Sequence, residues 1–186
     1  ASLPAKQAQK LSVIHQSALR LLNLINQILE FRKTETQNKK LCVSKGNIAP
    51  LIYEIGLKYK ELNQNTKIDF RIQIEKEEMF LFFDKEIITI VLDNLISNAI
   101  KYTEQGRVTL SLHQTMRNEV AYTEIKVSDT GYGISTEALP HIFDRYYQES
   151  GKHQASGTGI GLALVKNLVT LHEGEIRAES VQNEGS

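Results

Sequence analysis

The sequence predicts an α/β domain preceded by one long helix, and three patterns carry that reading. Apolar residues recur at helical spacing near the start, helix-like and strand-like segments alternate from about residue 41, and two glycine-rich strings punctuate the second half. At 186 residues and 41% hydrophobic composition the chain can build one sizeable core with an appended element, but not two full domains. A boundary near residue 41 therefore divides it into 1–40 and 41–186.

Leu11, Ile14, Ala18, Leu21, Ile25 and Ile28 step alternately by three and four, and Leu22 and Leu29 widen the stripe. This spacing predicts an amphipathic helix over 4–35, whose heptad-like seam should bury against other helices within the chain or across a dimer. Polar residues 34–40 break the pattern as a linker. Beyond it, residues 41–44 read as a short strand, and Asn47 can cap a helix running through Leu51, Ile52, Ile55 and Leu62. Residues 67–74 alternate apolar and polar, and 79–83 form a short apolar run, so both predict strands. Asp84 then caps a helix to about Tyr102. Residues 108–112 and 120–127 resemble a hairpin joined by a polar, mobile loop, residues 160–172 a helix, and 175–180 a further strand.

Bulk properties exclude several function classes. Lysine plus arginine (22) equal aspartate plus glutamate (22), so no long-range positive field attracts nucleic acid or anionic lipid. Cys42 is the only cysteine, which rules out an internal disulfide and a thiolate zinc cluster, and fits a reducing compartment. Apolar runs fall well short of the ~20 residues a membrane helix needs. The fragment is thus expected to be soluble, with neither nucleic acid nor direct membrane contact.

Three strings carry chemistry. On the helix after Asp84, Asn94, Asn98 and Lys101 share one face at spacings of four and three, bordering a broad apolar arc. An asparagine carbonyl can ligate magnesium, and an ammonium can neutralise phosphate oxygens. Alone, such a face is usually only solvated. The second string, Asp129-Thr130-Gly131-Tyr132-Gly133-Ile134, follows an apolar strand; a carboxylate there can accept a hydrogen bond from an amino group, as adenine offers, although an ordinary turn fits equally. In the third, Gly157-Thr158-Gly159-Ile160-Gly161-Leu162 opens directly into a helix, whose free N–H groups and dipole suit phosphate. It lacks the Lys-Ser/Thr pair of a P-loop. Glu179 lies where a dinucleotide fold would place its ribose-binding acid, but the polar segment before the glycines is no buried strand. Between the glycine strings, Phe143 can anchor a polar segment, 149–156, suited to a movable lid.

Taken in order, DNLISNAIKYT, DTGYGI, IFDRYYQ and GTGIGLALVK resemble the asparagine, first glycine, phenylalanine and second glycine motifs of sensor histidine kinases. These form a branch of the gyrase, heat-shock-chaperone and MutL ATPase superfamily. With NLVTLHEGEI, the resemblance covers most of the chain from Asp84 onward.

It implies a Bergerat-type ATP-binding fold, a two-layer α/β sandwich with a mixed sheet covered on one face by helices. It also implies ATP and Mg2+ as cofactors. Asn94 and Lys101 become the catalytic pair beside the phosphates, Asn98 the metal ligand, and Tyr102 a neighbour of the nucleotide. Asp129 is implied to read the adenine amino group, with Gly131, Gly133 and Ile134 shaping the pocket and Phe143 anchoring the lid. Gly157, Thr158, Gly159, Gly161 and Leu162 would surround phosphate, with Arg145 as a further contact.

The first helix looks like the family's second dimerisation helix, while the helix carrying the phosphoacceptor has no counterpart here. His15, followed by Gln-Ser-Ala, reads as a packed or solvated histidine. The chain stops where the family continues into a last apolar strand, which implies an unpaired sheet edge. The implied partners are the dimerisation helices of a homodimeric parent and a response-regulator receiver domain; the parent is expected to be anchored in the inner membrane with this portion cytoplasmic. The neutral Asn94, where hydrolytic relatives carry glutamate, implies slow intrinsic ATP hydrolysis. Two rival classes are a serine-directed kinase of the same superfamily and a degenerate nucleotide-binding module, and the intact glycines and Asn98 oppose the second.

Overall fold

The computed structural model describes residues 5–36, 39–117, 119–148 and 158–186. It separates into two units, Ala1–Lys39 and Lys40–Ser186. In the first, helix α1 spans Ala5–Glu35. Along it Leu11, Ile14, Leu21, Leu22, Ile25, Ile28 and Leu29 are all exposed, so the predicted apolar seam runs open along the helix. His15 is exposed as well.

The second unit runs β1 (Ser44–Asn47), α2 (Ile48–Leu62), β2 (Ile68–Ile74), β3 (Phe80–Phe83), α3 (Lys85–Tyr102), β4 (Gly106–Arg117), β5 (Val120–Asp129), a 3-10 turn (Leu139–His141) and α4 (Gly161–Leu171). A three-stranded sheet has the order β2-β4-β5, with β2 and β4 parallel and β4 and β5 antiparallel, and β1 pairs antiparallel with β3. This is the mixed sheet that the resemblance implies. On its inner face Ile68, Phe70, Val108, Leu110 and Leu112 are buried in one core with Ile52 and Ile55 of α2 and Leu92 and Ile96 of α3. Each such side chain contributes about 1.5–3 kcal/mol. Alternate residues Asp69, Arg71 and Gln73 are exposed on the opposite face, as the period of two requires.

Both predicted caps form. The Asn47 side chain accepts from Ala49 N–H at 3.2 Å, and one Asp84 carboxylate oxygen accepts from Glu86 and Ile87 N–H at 3.0 and 3.1 Å.

Three boundaries differ from expectation. The first strand lies at Ser44–Asn47 rather than 41–44, because its partner β3 ends at Phe83, opposite Ser44, and the next residue is the α3 cap. Cys42 is instead tied through its N–H to the Asp84 carboxylate at 2.8 Å. The hairpin strands are longer than predicted and pair to Arg117↔Val120, leaving a two-residue connection, with Glu119 at φ 67°. Ladder bonds hold this ribbon where Met116, Val120 and Tyr122 are exposed, so burial patterning understates its length. Finally, residues 175–180 form no strand. They alternate exposed and half-buried as a strand would, and Arg177 reaches Glu124 of β5 at 3.0 Å, but alternation records which face is covered and not whether a ladder is made.

Candidate functional site

Helix α3 supplies one wall. Asn94 is 8% exposed, Asn98 half-buried and Lys101 exposed, so the face predicted from spacing passes from the core into solvent over two turns. The Asn94 amide donates from Nδ2 to the Ile90 carbonyl at 2.8 Å. That bond fixes its plane and turns Oδ1 toward α4, where a β-carbon at Gly161 would come within 2.8 Å of it. Glycine is therefore needed at the first residue of α4 for the helix start to sit against Asn94.

Among the described residues no side chain caps that helix start, with Ile160 in the cap position. Its first N–H groups, which include those of Gly161 and Leu162, are the donors an anion would take. Just before it, Thr158 Oγ1 accepts from Ile160 N–H at 3.3 Å, and Gly159 takes φ 67°. The Gly159 carbonyl accepts from Tyr146 N–H at 2.9 Å, so the segment bearing the half-buried Phe143 and the exposed Arg145 docks onto the second glycine string. Gly157 and the predicted lid, 149–156, lie outside the described residues.

At the other end of α3, Tyr132 N–H donates to the Tyr102 carbonyl at 3.2 Å, and a β-carbon at Gly131 would overlap that same oxygen. The first glycine string is thereby seated on the α3 terminus. Asp129 Oδ1 accepts from Gly131 N–H at 2.8 Å. Burial pushes the Asp129 carboxyl above its ordinary value, and the Gly131 bond opposes this only in part. A half-buried carboxylate of this kind gains from a further polar donor such as an exocyclic amine. Lys101 Nζ lies 3.1 Å from the Tyr102 hydroxyl and 4.6 Å from the ring centroid, which holds the ammonium at the same helix end.

Sequence reasoning missed the brace beneath the first glycine string. Ile134 N–H donates to Ser180 Oγ at 2.8 Å, Asn183 N–H to the Tyr132 carbonyl at 2.7 Å, and Asp129 and Ser186 exchange backbone hydrogen bonds at 2.9 and 3.2 Å. Gly133, at φ 64°, lies against the Val181 carbonyl. Ser186 thus holds the last residue of β5 while Ser180 and Asn183 hold the glycine string, and the only signal available was the turn-forming Asn183-Glu184-Gly185 run.

Asn94 and Tyr102 are about 12 Å apart along α3. One ligand can therefore place an amine-bearing ring near Asp129 and an anionic group at the α4 start. The residues fit a nucleotide with a divalent cation: the α4 amides suit phosphate, the half-buried Asn98 amide offers a neutral oxygen to the metal, and Lys101 lies two turns along α3 from Asn94, at the ring end.

Such a residue set, carried by α3, the end of β5 and the start of α4 on a mixed sheet, defines a nucleotide-binding α/β class. The family of histidine kinase-, DNA gyrase B-, and HSP90-like ATPases matches residues 83–186, and the chain belongs to it. Histidine kinase P4 of Formosa agariphila is 34% identical over 97% of the chain, and sensor histidine kinase WalK of Bacillus subtilis 31% identical over 95%. The chain spans only 13% and 29% of these relatives' lengths. Full-length ShkA in complex with AMPPNP shares the fold, with a TM-score of 0.81 at 23% identity over all of this chain and 38% of ShkA.

Proposed function

We propose that this chain is the part of a sensor histidine kinase that binds magnesium-ATP and presents the γ-phosphoryl to a histidine on a dimerisation helix, for relay to a response-regulator aspartate. The observation that carries the reading is the uncapped start of α4, held against Asn94 by a glycine that leaves no room for a side chain. Asp129 orients the adenine, Asn98 holds the cation, and Asn94 and the α4 amides align the phosphates. The bound nucleotide and metal supply the phosphoryl group and its charge screening; the protein contributes positioning. Neutral imidazole is nucleophilic without a strong general base, which accords with an amide rather than a carboxylate at position 94.

Residues 1–40 belong, in this reading, to the dimerisation element of a homodimeric parent that docks a receiver domain, and the exposed apolar seam of α1 supports it. Among the described residues no helix is long and apolar enough to cross a membrane. A membrane-anchored parent would place this portion in the cytoplasm.

Calorimetry with a non-hydrolysable ATP analogue, with and without magnesium, tests the binding. Folded protein that takes up no adenine nucleotide under any metal condition overturns it. Labelled ATP with the phosphoacceptor helix supplied in trans tests the transfer: acid-labile label on histidine supports it, and acid-stable label on serine defeats it.

A further inference from the structure

Helices α3 and α4 pack together and run antiparallel, for the start of α4 meets the middle of α3 and the end of α4 meets the start of α3. Gly161 at the start of α4 meets Asn94, and His172 at its C-cap meets Asp84 at the α3 N-cap, where Asp84 N–H donates to His172 Nε2 at 3.0 Å. Asp84 to Asn94 spans about 15 Å and Gly161 to His172 about 16 Å, so the two contacts are matched in length.

Asp84 is a fixed point. It is 4% exposed, and its carboxylate accepts from Cys42, Glu86 and Ile87 N–H while its carbonyl accepts from Ile88 N–H at 3.1 Å. Its own N–H precedes the helix and donates to the His172 ring. Meanwhile His172 N–H closes α4 by donating to Leu168 at 3.0 Å. The remainder of α4's buried surface is Ala163, Leu164, Val165 and Leu168. Apolar contact is non-directional, so these side chains supply no polar bond that marks the axial position of α4. A one-residue slip, about 1.5 Å, would carry the α4 amides away from Asn94.

We infer that His172 is a positioning residue for the phosphate end of the nucleotide site: its ring, accepting at Nε2, sets the axial register of α4 on α3. This rests on the nucleotide-binding reading above. The role needs a ring protonated at Nδ1 and free to accept at Nε2.

The test uses the chain as it stands, with a non-hydrolysable ATP analogue and, separately, adenosine, which has no phosphates. Uptake of the analogue by the parent protein is the control for the nucleotide-binding reading itself. Replacing the ring acceptor in His172→Phe should weaken the analogue by about five- to tenfold and leave adenosine within about twofold. His172→Gln, which restores an acceptor at the reach of Nε2, should recover most of the loss. Parent-like analogue affinity in His172→Phe, equal losses for both ligands, or no recovery in His172→Gln would overturn the inference. Should His172→Phe fail to fold, nitrogen-15 NMR of the parent decides: a neutral ring with Nε2 unprotonated upholds it, and a proton on Nε2 defeats it.

Discussion

Replacing Gly161 with alanine asks the site to absorb one carbon atom, and the structure fixes what that requires. The new β-carbon would stand 2.8 Å from Asn94 Oδ1, where ordinary contact begins at 3.4 Å, so one of the two must yield by about 0.6 Å. Asn94 cannot swing away freely, because it is 8% exposed and bonded to Ile90. The change should therefore move the start of α4 or break that bond.

Two stability effects oppose each other. Alanine favours the helix over glycine by up to about 1 kcal/mol, while overpacking costs about 1–3 kcal/mol. The net cost of up to about 2 kcal/mol should then lower the melting temperature by up to about 4–8 °C for a unit of this size. Nucleotide binding has no such compensation. Misplacing the α4 amides and the Asn94 amide together should cost about 1.4–3 kcal/mol, a ten- to hundredfold loss of affinity. Calorimetry with the analogue, beside thermal melts, separates the two. Combining Gly161→Ala with Asn94→Ala should give less than the sum of the single losses, because the clash has been removed. An alanine variant that binds as tightly as the parent would refute the argument that this close approach builds the site.

Three further outcomes are expected. Asn98→Ala should abolish most of the magnesium-dependent part of nucleotide binding while leaving metal-free binding near the parent value, and calorimetry showing the same metal dependence as the parent would contradict the ligand role. Asp129→Asn should stabilise the nucleotide-free protein at neutral pH: a carboxyl raised by burial contributes stability in its protonated form, and that contribution is lost as pH rises through the folded value. The difference between variant and parent melting temperatures should accordingly grow from about pH 4 to pH 7, and a constant difference would count against it. Tyr59→Phe removes a hydroxyl that donates to the Asp93 carboxylate at 2.9 Å, and should cost about 1 kcal/mol, or about 2–4 °C, in a melt; burial and the Asp93 charge push the phenol pKa up, so the loss should be constant from neutral to mildly alkaline pH.

What the sequence disclosed were features written in neighbouring residues. The Asp84 cap, the Asn94-Asn98-Lys101 face and the glycine-led start of α4 each lie within one element, so spacing alone locates them. Features made by distant segments were not legible. The Ser180 hydroxyl beneath Ile134 and the His172 ring on Asp84 join residues 46 and 88 positions apart, and no local period records such a meeting. Strand ends fell between these cases. Residues 41–43 look apolar enough to pair, but the opposite strand runs out at Phe83, and 175–180 alternate correctly beside β5 without forming a ladder. Membership in a ladder depends on what lies opposite, which one segment cannot state.

The brace on the first glycine string bears on how the molecule is made. Asp129 waits more than 50 residues for the carbonyl of Ser186 that its N–H will use. A nascent chain still holding residues 180–186 inside the ribosome has the carboxylate turn without its support. Contacts of such long separation are closed late. The ring-reading end of the pocket should then be completed after the α2–α3 core has formed, and co-translational nucleotide capture by shorter chains should be correspondingly feeble.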